Sequence, residues 1–309
     1  MNILITGGAG FIGSHLLQRL QGKAEFRVTV VDNLDTGCRE YIPDGMEFIN
    51  ADIRSQELEH CFASHNFDAV IHLAAQTMVP FSMEHPQADC DVNLMGLINV
   101  LECCRKYRVR SITFSSSAAV YGDNENVPLK ETERLNPTSF YGITKMTTEH
   151  YLRVYHEVNG INATVFRFAN VYGERQGAGG EGGVVSIFCK LLAEQKNFSI
   201  YGDGEQTRDF VYAGDIARAL EASLFLKGFH ILNVSTSRET SINQLVAYFE
   251  KAAHKEISVQ RLEKRKGDIY RSFLDNRALI AALGIQPEMD LQRGILQTYN
   301  WYKSKKGGF

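Results

Sequence analysis

The feature that most constrains the fold of this chain is its opening stretch, Met1-Asn2-Ile3-Leu4-Ile5-Thr6-Gly7-Gly8-Ala9-Gly10-Phe11-Ile12-Gly13-Ser14-His15. A short apolar run enters a glycine turn, and Phe11, Ile12, Leu16, Leu17 and Leu20 follow at helical spacing. Strand, glycine turn and helix in this order predict the first unit of a Rossmann-type, doubly wound α/β fold with a parallel sheet. In such a unit Gly7 permits the tight turn, Gly10 lets a pyrophosphate approach the backbone, and Gly13 lets the helix lie close on the strand. The phosphates then meet the free N–H groups of the helix start, where Phe11 and Ile12 stand, and the positive end of its dipole. A glycine triplet by itself also fits an ordinary tight turn, so the residues around it decide.

A second strand, Phe26 to Val31, ends in Asp32, at the spacing expected of a carboxylate that binds the ribose 2′- and 3′-hydroxyls of a dinucleotide. That carboxylate repels a 2′-phosphate, and no Arg directly follows it, so the expected cofactor is NAD. Asn33 to Gly37 is a polar loop suited to the adenosine end. Met46 to Asn50 reads as a short strand leading to Asp52-Ile53, where Asp52 either hydrogen-bonds the adenine amino group or caps a helix starting near Ser55. Ala69 to Ala75 is a further buried strand; Leu73-Ala74-Ala75 at its end lets a cofactor lie against backbone. His72 within it reads as a packed core histidine.

At 309 residues and net charge −3, the chain is large enough for a well-buried core and carries no excess charge for a nucleic-acid partner. No apolar run reaches the length of a membrane span, so a soluble, cytoplasmic protein without a membrane partner is expected. The 6 cysteines lack paired spacing and read as free thiols, and the 9 histidines show no ligand spacing, so no metal is expected.

Asp91 to Tyr107 has helical periodicity, with Asn93 early in it. The strand Ser111 to Phe114 opens into Ser115-Ser116-Ser117-Ala118-Ala119-Val120-Tyr121-Gly122, which puts hydroxyls where parallel sheets bind ligands. A loop rather than a helix is expected directly after it. Tyr141 and Lys145 stand four apart at the start of a helical pattern that runs to about Val158, so both project from one face. Thr164 to Phe168 reads as a sixth strand, and Asn170 to Gly183 as a glycine-rich loop. Asp215 to Leu226, Ile242 to Ala253 and Asp290 to Lys303 read as helices, and His230 to Val234 as a short strand.

Taken with Arg167-Phe168-Ala169-Asn170-Val171-Tyr172-Gly173, Gly202 to Val211 and Arg265-Lys266-Gly267-Asp268, these motifs carry a resemblance over the whole chain. The chain resembles the extended short-chain dehydrogenase/reductase family, and within it the nucleotide-sugar epimerases, most closely those that interconvert UDP-glucose and UDP-galactose. The resemblance implies an NAD-binding domain of residues 1–168 plus about 213–234, and a nucleotide-sugar domain of 169–212 plus 235–309. It adds Asn93 and Ser115 to the cofactor residues. It implies that Tyr141 acts as general base on the sugar C4 hydroxyl, with Lys145 stabilising its phenolate and Ser117, rather than its competitor Ser116, bridging it to the sugar oxygen. A tyrosine titrates near ~10 in water, so a phenolate at neutral pH needs ~4 kcal/mol of stabilisation, and a neighbouring cation is its natural source. Asn170 would contact the diphosphate or uridine side, Arg208 and Arg265 would clamp the phosphates through guanidinium forks, and Asp268 would hold the uridine ribose.

Related activities are weighed by what is missing. A 4,6-dehydratase of this family carries Asp-Glu where this chain has Ala118-Ala119, and a UDP-glucuronate decarboxylase carries Glu at Ala119. A uronate 4-epimerase places an extra Arg where Gly177 follows Gln176. A protein that binds NAD and a nucleotide sugar without turnover is the alternative of another class, and intact Ser117, Tyr141 and Lys145 argue against it. The small Ser272, four residues after Asp268, leaves room for a C2 acetamido group, so N-acetylated sugars are expected as substrates too. A homodimer through the helices near Asn93–Tyr107 and Tyr141–Val158 is also expected.

Overall fold

The computed structural model describes residues 1–177, 182–264 and 269–305. In chain order the strands are β1 (Asn2–Thr6), β2 (Arg27–Asp32), β3 (Glu47–Asn50), β4 (Ala69–His72), β5 (Ser111–Ser117), β6 (Asn162–Phe168), β7 (Asn170–Tyr172), β8 (Phe198–Tyr201), β9 (Thr207–Arg208), β10 (Phe210–Tyr212), β11 (Phe229–Val234), β12 (Thr240–Ser241), β13 (Val259–Leu262) and β14 (Arg271–Ser272). The helices are α1 (Phe11–Leu20), α2 (Gln56–Ser64), α3 (Val79–Glu84), α4 (Pro86–Cys90), α5 (Gly96–Lys106), α6 (Phe140–Asn159), α7 (Val184–Ala193), α8 (Ala213–Ser223), α9 (Ile242–Ala253), α10 (Arg277–Leu283) and α11 (Leu291–Ser304).

Strands β1–β6 and β11 form one seven-stranded sheet in the order β11-β6-β5-β4-β1-β2-β3, with every neighbouring pair parallel. The alternation of side chains along a strand explains its two cores. Ile3 and Ile5 face Leu16 and Leu17 of α1 and Ile216 and Leu220 of α8, while Leu4 faces the layer of Leu58, Phe62, Leu97, Leu101 and Leu152 from α2, α5 and α6. Each such side chain contributes roughly 1.5–3 kcal/mol by leaving water. The strand order reverses between β1 and β4, so the crevice for a ligand opens at their carboxyl ends.

The smaller lobe packs α7, α9 and α11 over β8 and β10 around stacked and edge-on rings of Phe188, Phe198 and Phe249. Its three small sheets join β7 to β10, β8 to β13, and β12 and β14 to β9. Ser241 and Gln244 cap α9 reciprocally, which fixes where that helix starts.

The structure departs from the sequence reading in several places. Asn170–Tyr172, expected as the start of a loop, is strand β7, because β10 offers its backbone a parallel partner. A 3₁₀ turn, Ala118–Tyr121, follows β5 directly where a loop was expected. Helices α3 and α4 are too short for periodicity to reveal, and each carries Pro in its first turn. The 6 cysteines are free, and His72 is buried with Nδ1 2.7 Å from Thr6 Oγ1. Among the described residues no helix is long and apolar enough to cross a membrane, and no cluster of three or more metal-ligating side chains forms.

Candidate active site

A cleft of about 990 Å³ runs along the carboxyl ends of the large sheet, and most of the residues singled out from sequence line it. At one end the glycine turn closes tightly on its neighbours. Gly7 has φ +71°, and a Cβ there would lie 2.5 Å from the Ala74 nitrogen. A Cβ on Gly13 would lie 2.4 Å from the Gly7 carbonyl oxygen, so α1 can sit this near the turn only without a side chain. Helix α1 begins at Phe11 with no side-chain cap and no acidic residue in its first turn, which leaves backbone donors of Phe11, Ile12 and Gly13 for an anion.

Asp32 ends β2 beside this turn and accepts the N–H groups of Ala9 and Leu34, each at 2.9 Å. Burial pushes its carboxyl above the usual carboxylate range, and those two bonds oppose the rise. Asp52 accepts Arg54 Nη2 at 2.8 Å and Asn33 Nδ2 at 3.1 Å. Its bonds from Arg54 hold it down to about 2. Ser55, not Asp52, occupies the N-cap of α2, which removes the capping alternative for Asp52. Ile53, Leu73, Ala74 and Ala75 complete this wall. Asn93 stands one layer behind it: its amide accepts Gln76 N at 2.9 Å and donates to Gln76 O at 3.0 Å and Asp89 Oδ1 at 3.1 Å. It shapes the cleft through Gln76, which is a lining residue.

The middle of the cleft brings β5 and α6 together. Ser139 caps α6 by accepting the Gly142 N–H at 3.1 Å, which fixes the helix start at Phe140 and sends Tyr141 and Lys145 into the cleft. Lys145 is buried, donates from Nζ to the Ser115 carbonyl at 2.9 Å, and lies 5.7 Å from the Tyr141 ring centroid. Burial lowers its pKa to about 8, with Asp89 and Glu149 opposing. Ser115 Oγ donates to the His72 carbonyl at 3.3 Å, and Ser117 Oγ accepts the Ala119 N–H at 3.2 Å as cap of the 3₁₀ turn. Ser116, weighed against Ser117 from sequence, is buried and donates to Glu149 Oε1 at 2.5 Å.

The far end is assembled from distant segments. Asn170 lines the cleft at the start of β7, and Phe210 of β10 joins it. Arg208 on β9 is cross-strand partner to Ser272 on β14 and Thr240 on β12, so Arg208 and Ser272 are adjacent, although neither is among the residues lining the cleft. Arg265 and Asp268 lie outside the described residues. Asp209, between Arg208 and Phe210, accepts Thr236 N and Oγ1 and Ser237 N at 2.6–3.0 Å. Sequence reasoning passed over Arg54, Met78, Phe81 and Gln176, all of which line the cleft. Gln176 gives Nε2 to the Val171 carbonyl at 3.0 Å. Its sequence position, between Arg175 and Gly177, carries no local pattern that shows it turning inward.

Residues 3–234 match the family model described as "NAD dependent epimerase/dehydratase family". The chain is 42% identical over 303 residues to a provisionally named UDP-glucose 4-epimerase of Methanocaldococcus jannaschii, covering 98% of each. Its structure is similar to that of UDP-glucose 4-epimerase from Thermotoga maritima with UDP-glucose, at TM-score 0.95 and 38% identity over 98% of this chain and 99% of that one. It is also similar to UDP-N-acetylglucosamine 4-epimerase from Methanobrevibacter ruminantium in complex with UDP-N-acetylmuramic acid, at TM-score 0.93 and 33% identity over 98% of both.

Proposed function

The chain belongs to the NAD-dependent epimerase/dehydratase family, and from that premise we propose that it inverts C4 of a UDP-hexose, interconverting UDP-glucose and UDP-galactose, through a 4-keto sugar. The observation that carries this reading is the convergence of the glycine turn, Ser117, Tyr141 and Lys145 on one cleft. The residues at its first end suit a dinucleotide: a turn too tight for side chains, an uncapped helix start, and a carboxylate at Asp32. Arg54 is paired with both Asp52 and Asp91, which supports NAD over a 2′-phosphorylated cofactor.

NAD⁺, when bound, supplies the hydride acceptor and returns the hydride to the same carbon. Tyr141 takes the proton of the C4 hydroxyl and later gives it back, Lys145 stabilises the phenolate, and Ser117 holds the sugar oxygen. The nucleotide stays clamped, in this reading by Asn170, Arg208, Arg265 and Asp268, while the hexose turns over between the two half-reactions. Ser272, a small side chain paired across strands with Arg208, would leave room for a C2 acetamido group, which supports UDP-N-acetylglucosamine and UDP-N-acetylgalactosamine as further substrates.

The same reading divides the chain into a nucleotide-binding unit, residues 1–168 with 213–234, and a substrate unit formed by the rest. It also includes a homodimer. Phe140, Ile143, Val154 and Val158 are 40%, 42%, 53% and 74% exposed, and helical spacing puts them on one stripe of α6. Incubating the purified protein with UDP-glucose, UDP-N-acetylglucosamine and dTDP-glucose and identifying the products tests the activity; binding without interconversion would support a non-catalytic protein instead.

A further inference from the structure

Ser115, Ser117, Tyr141 and Lys145 all have a part in the reading above, and Ser116, Glu149 and Arg167, packed against them, have none. Side chains alternate along β5, so Ser116 turns away from the face of its two neighbours and is buried. Its Oγ donates to Glu149 Oε1 at 2.5 Å. Glu149 sits on α6 one turn beyond Lys145 and two beyond Tyr141. Arg167 on β6 grips the same carboxylate, Nε donating at 3.0 and 3.2 Å and Nη2 at 2.6 Å, with both side chains 3% exposed. The second amino group of Arg167 donates to Tyr121 Oη at 2.9 Å and the Glu131 carbonyl at 3.0 Å.

A buried ion pair of this kind is poor evidence of stabilisation, because desolvation offsets the attraction and apolar side chains of similar volume often do as well. Its position suggests another use. The pair joins the helix that carries Tyr141 and Lys145 to β6, and Ser116 ties it to the end of β5 that carries Ser115 and Ser117.

We propose that Glu149, held by Arg167 and linked to β5 through Ser116, is a positioning residue of the reaction: it keeps Tyr141 and Lys145 in register with Ser117, and its charge favours the ammonium form of Lys145. The proposal rests on the assignment of Ser117, Tyr141 and Lys145 given above. Among the described residues, Asp89, His72 and Tyr141 face Lys145 besides Glu149. Asp89 of α4 accepts Thr144 Oγ1 at 2.8 Å and opposes the loss of charge on Lys145 more strongly than Glu149 does. His72 of β4 is kept neutral by burial, which lowers it to about 3. Tyr141 is on the same helix, and Arg167 meets Glu149 from β6.

Two variants separate the link from the charge. Ser116→Ala removes the hydrogen bond and keeps every charge; kcat should fall roughly ten- to a hundredfold, with KM and retained NAD within about twofold, as expected when reacting groups are slightly misplaced. Glu149→Gln removes a negative neighbour of Lys145, so the ammonium should lose its proton at lower pH. The high-pH decline of kcat should therefore move down by roughly half a pH unit or more, a change that a merely structural role does not produce. Thermal unfolding and NAD content establish that each variant is folded, and if Glu149→Gln does not fold, Ser116→Ala decides alone. Wild-type kcat in Ser116→Ala, or an unmoved high-pH limb in folded Glu149→Gln, overturns the proposal. Tyr141→Phe serves as the control. Retained turnover there sinks the underlying assignment, whereas lost turnover there with wild-type behaviour in the other two sinks only this inference.

Discussion

At one end of the cleft, Gly7, Gly10 and Gly13 sit within a single strand-turn-helix, and Asp32 follows at the end of the next strand. At the other end only Asn170 lines the cleft, and Arg208 and Ser272, proposed above to act with it, stand outside the lining; the three come from separate strands, and Arg208 meets Ser272 only because β9 pairs with β14. A local site is written into short-range spacing and close backbone contacts. A site built from distant segments depends on everything that docks those segments, such as the bonds from Thr236 and Ser237 to Asp209.

Four measurements test that contrast. The largest effect belongs to the middle of the cleft, where both ends must act together. Tyr141→Phe deletes one oxygen and little shape, so turnover should drop by roughly 10²- to 10⁴-fold while UDP affinity stays near wild type. Full turnover would remove Tyr141 from the proton path.

Gly13→Ala strikes the local end. Its Cβ would press on the Gly7 carbonyl at 2.4 Å and on Gly8 Cα at 2.6 Å, both of them backbone that has little room to give. A loss of roughly 1–3 kcal/mol in stability and of copurifying NAD is expected, read by thermal unfolding and by NAD released on denaturation. A variant as stable and as NAD-loaded as wild type would show that the turn is looser than its contacts indicate.

Ser272→Tyr strikes the assembled end and should be selective. It should abolish turnover of the N-acetylated pair and spare UDP-glucose, because a bulky ring collides only with the larger C2 substituent. If the unmodified protein already rejects N-acetylated sugars, this view of the pocket is wrong although epimerisation survives.

The smallest effect is a pH dependence of stability carried by two histidines packed at the local end. Burial lowers His15, which joins α1 to the Glu174 carbonyl at 3.0 Å, to about 4, and lowers His72 to about 3. Unfolded histidine titrates near ~6.5, so between that value and the folded ones the unfolded chain binds more protons. Stability should therefore rise with pH across this window and fall as pH drops below about 6.5. Urea unfolding at pH 7 and pH 5 measures it, and replacing His15 by Gln should flatten the slope. Equal stability at both pH values would contradict the burial of these rings as neutral groups.

The strand-turn-helix at Gly7–Gly13, the carboxylate at Asp32, and the spacing that puts Tyr141 and Lys145 on one helical face are legible in the residues alone. Each of these is set by short-range sterics and the periods of helix and strand. The centre of the larger sheet was legible for the same reason, since β1, β2 and β4 are largely apolar runs. That Asn170–Tyr172 is a strand follows from long-range pairing, because its hydrogen-bond partner, Phe210–Tyr212, is distant in the chain. Tertiary packing also delivered Glu149 to Ser116, placed Asn93 behind Gln76 instead of in the cleft wall, and brought Arg54 and Gln176 into the lining. None of these has a local signature. A polar side chain's partner is fixed by which distant backbone or charge the folded chain delivers to it, and sequence spacing carries no record of that delivery.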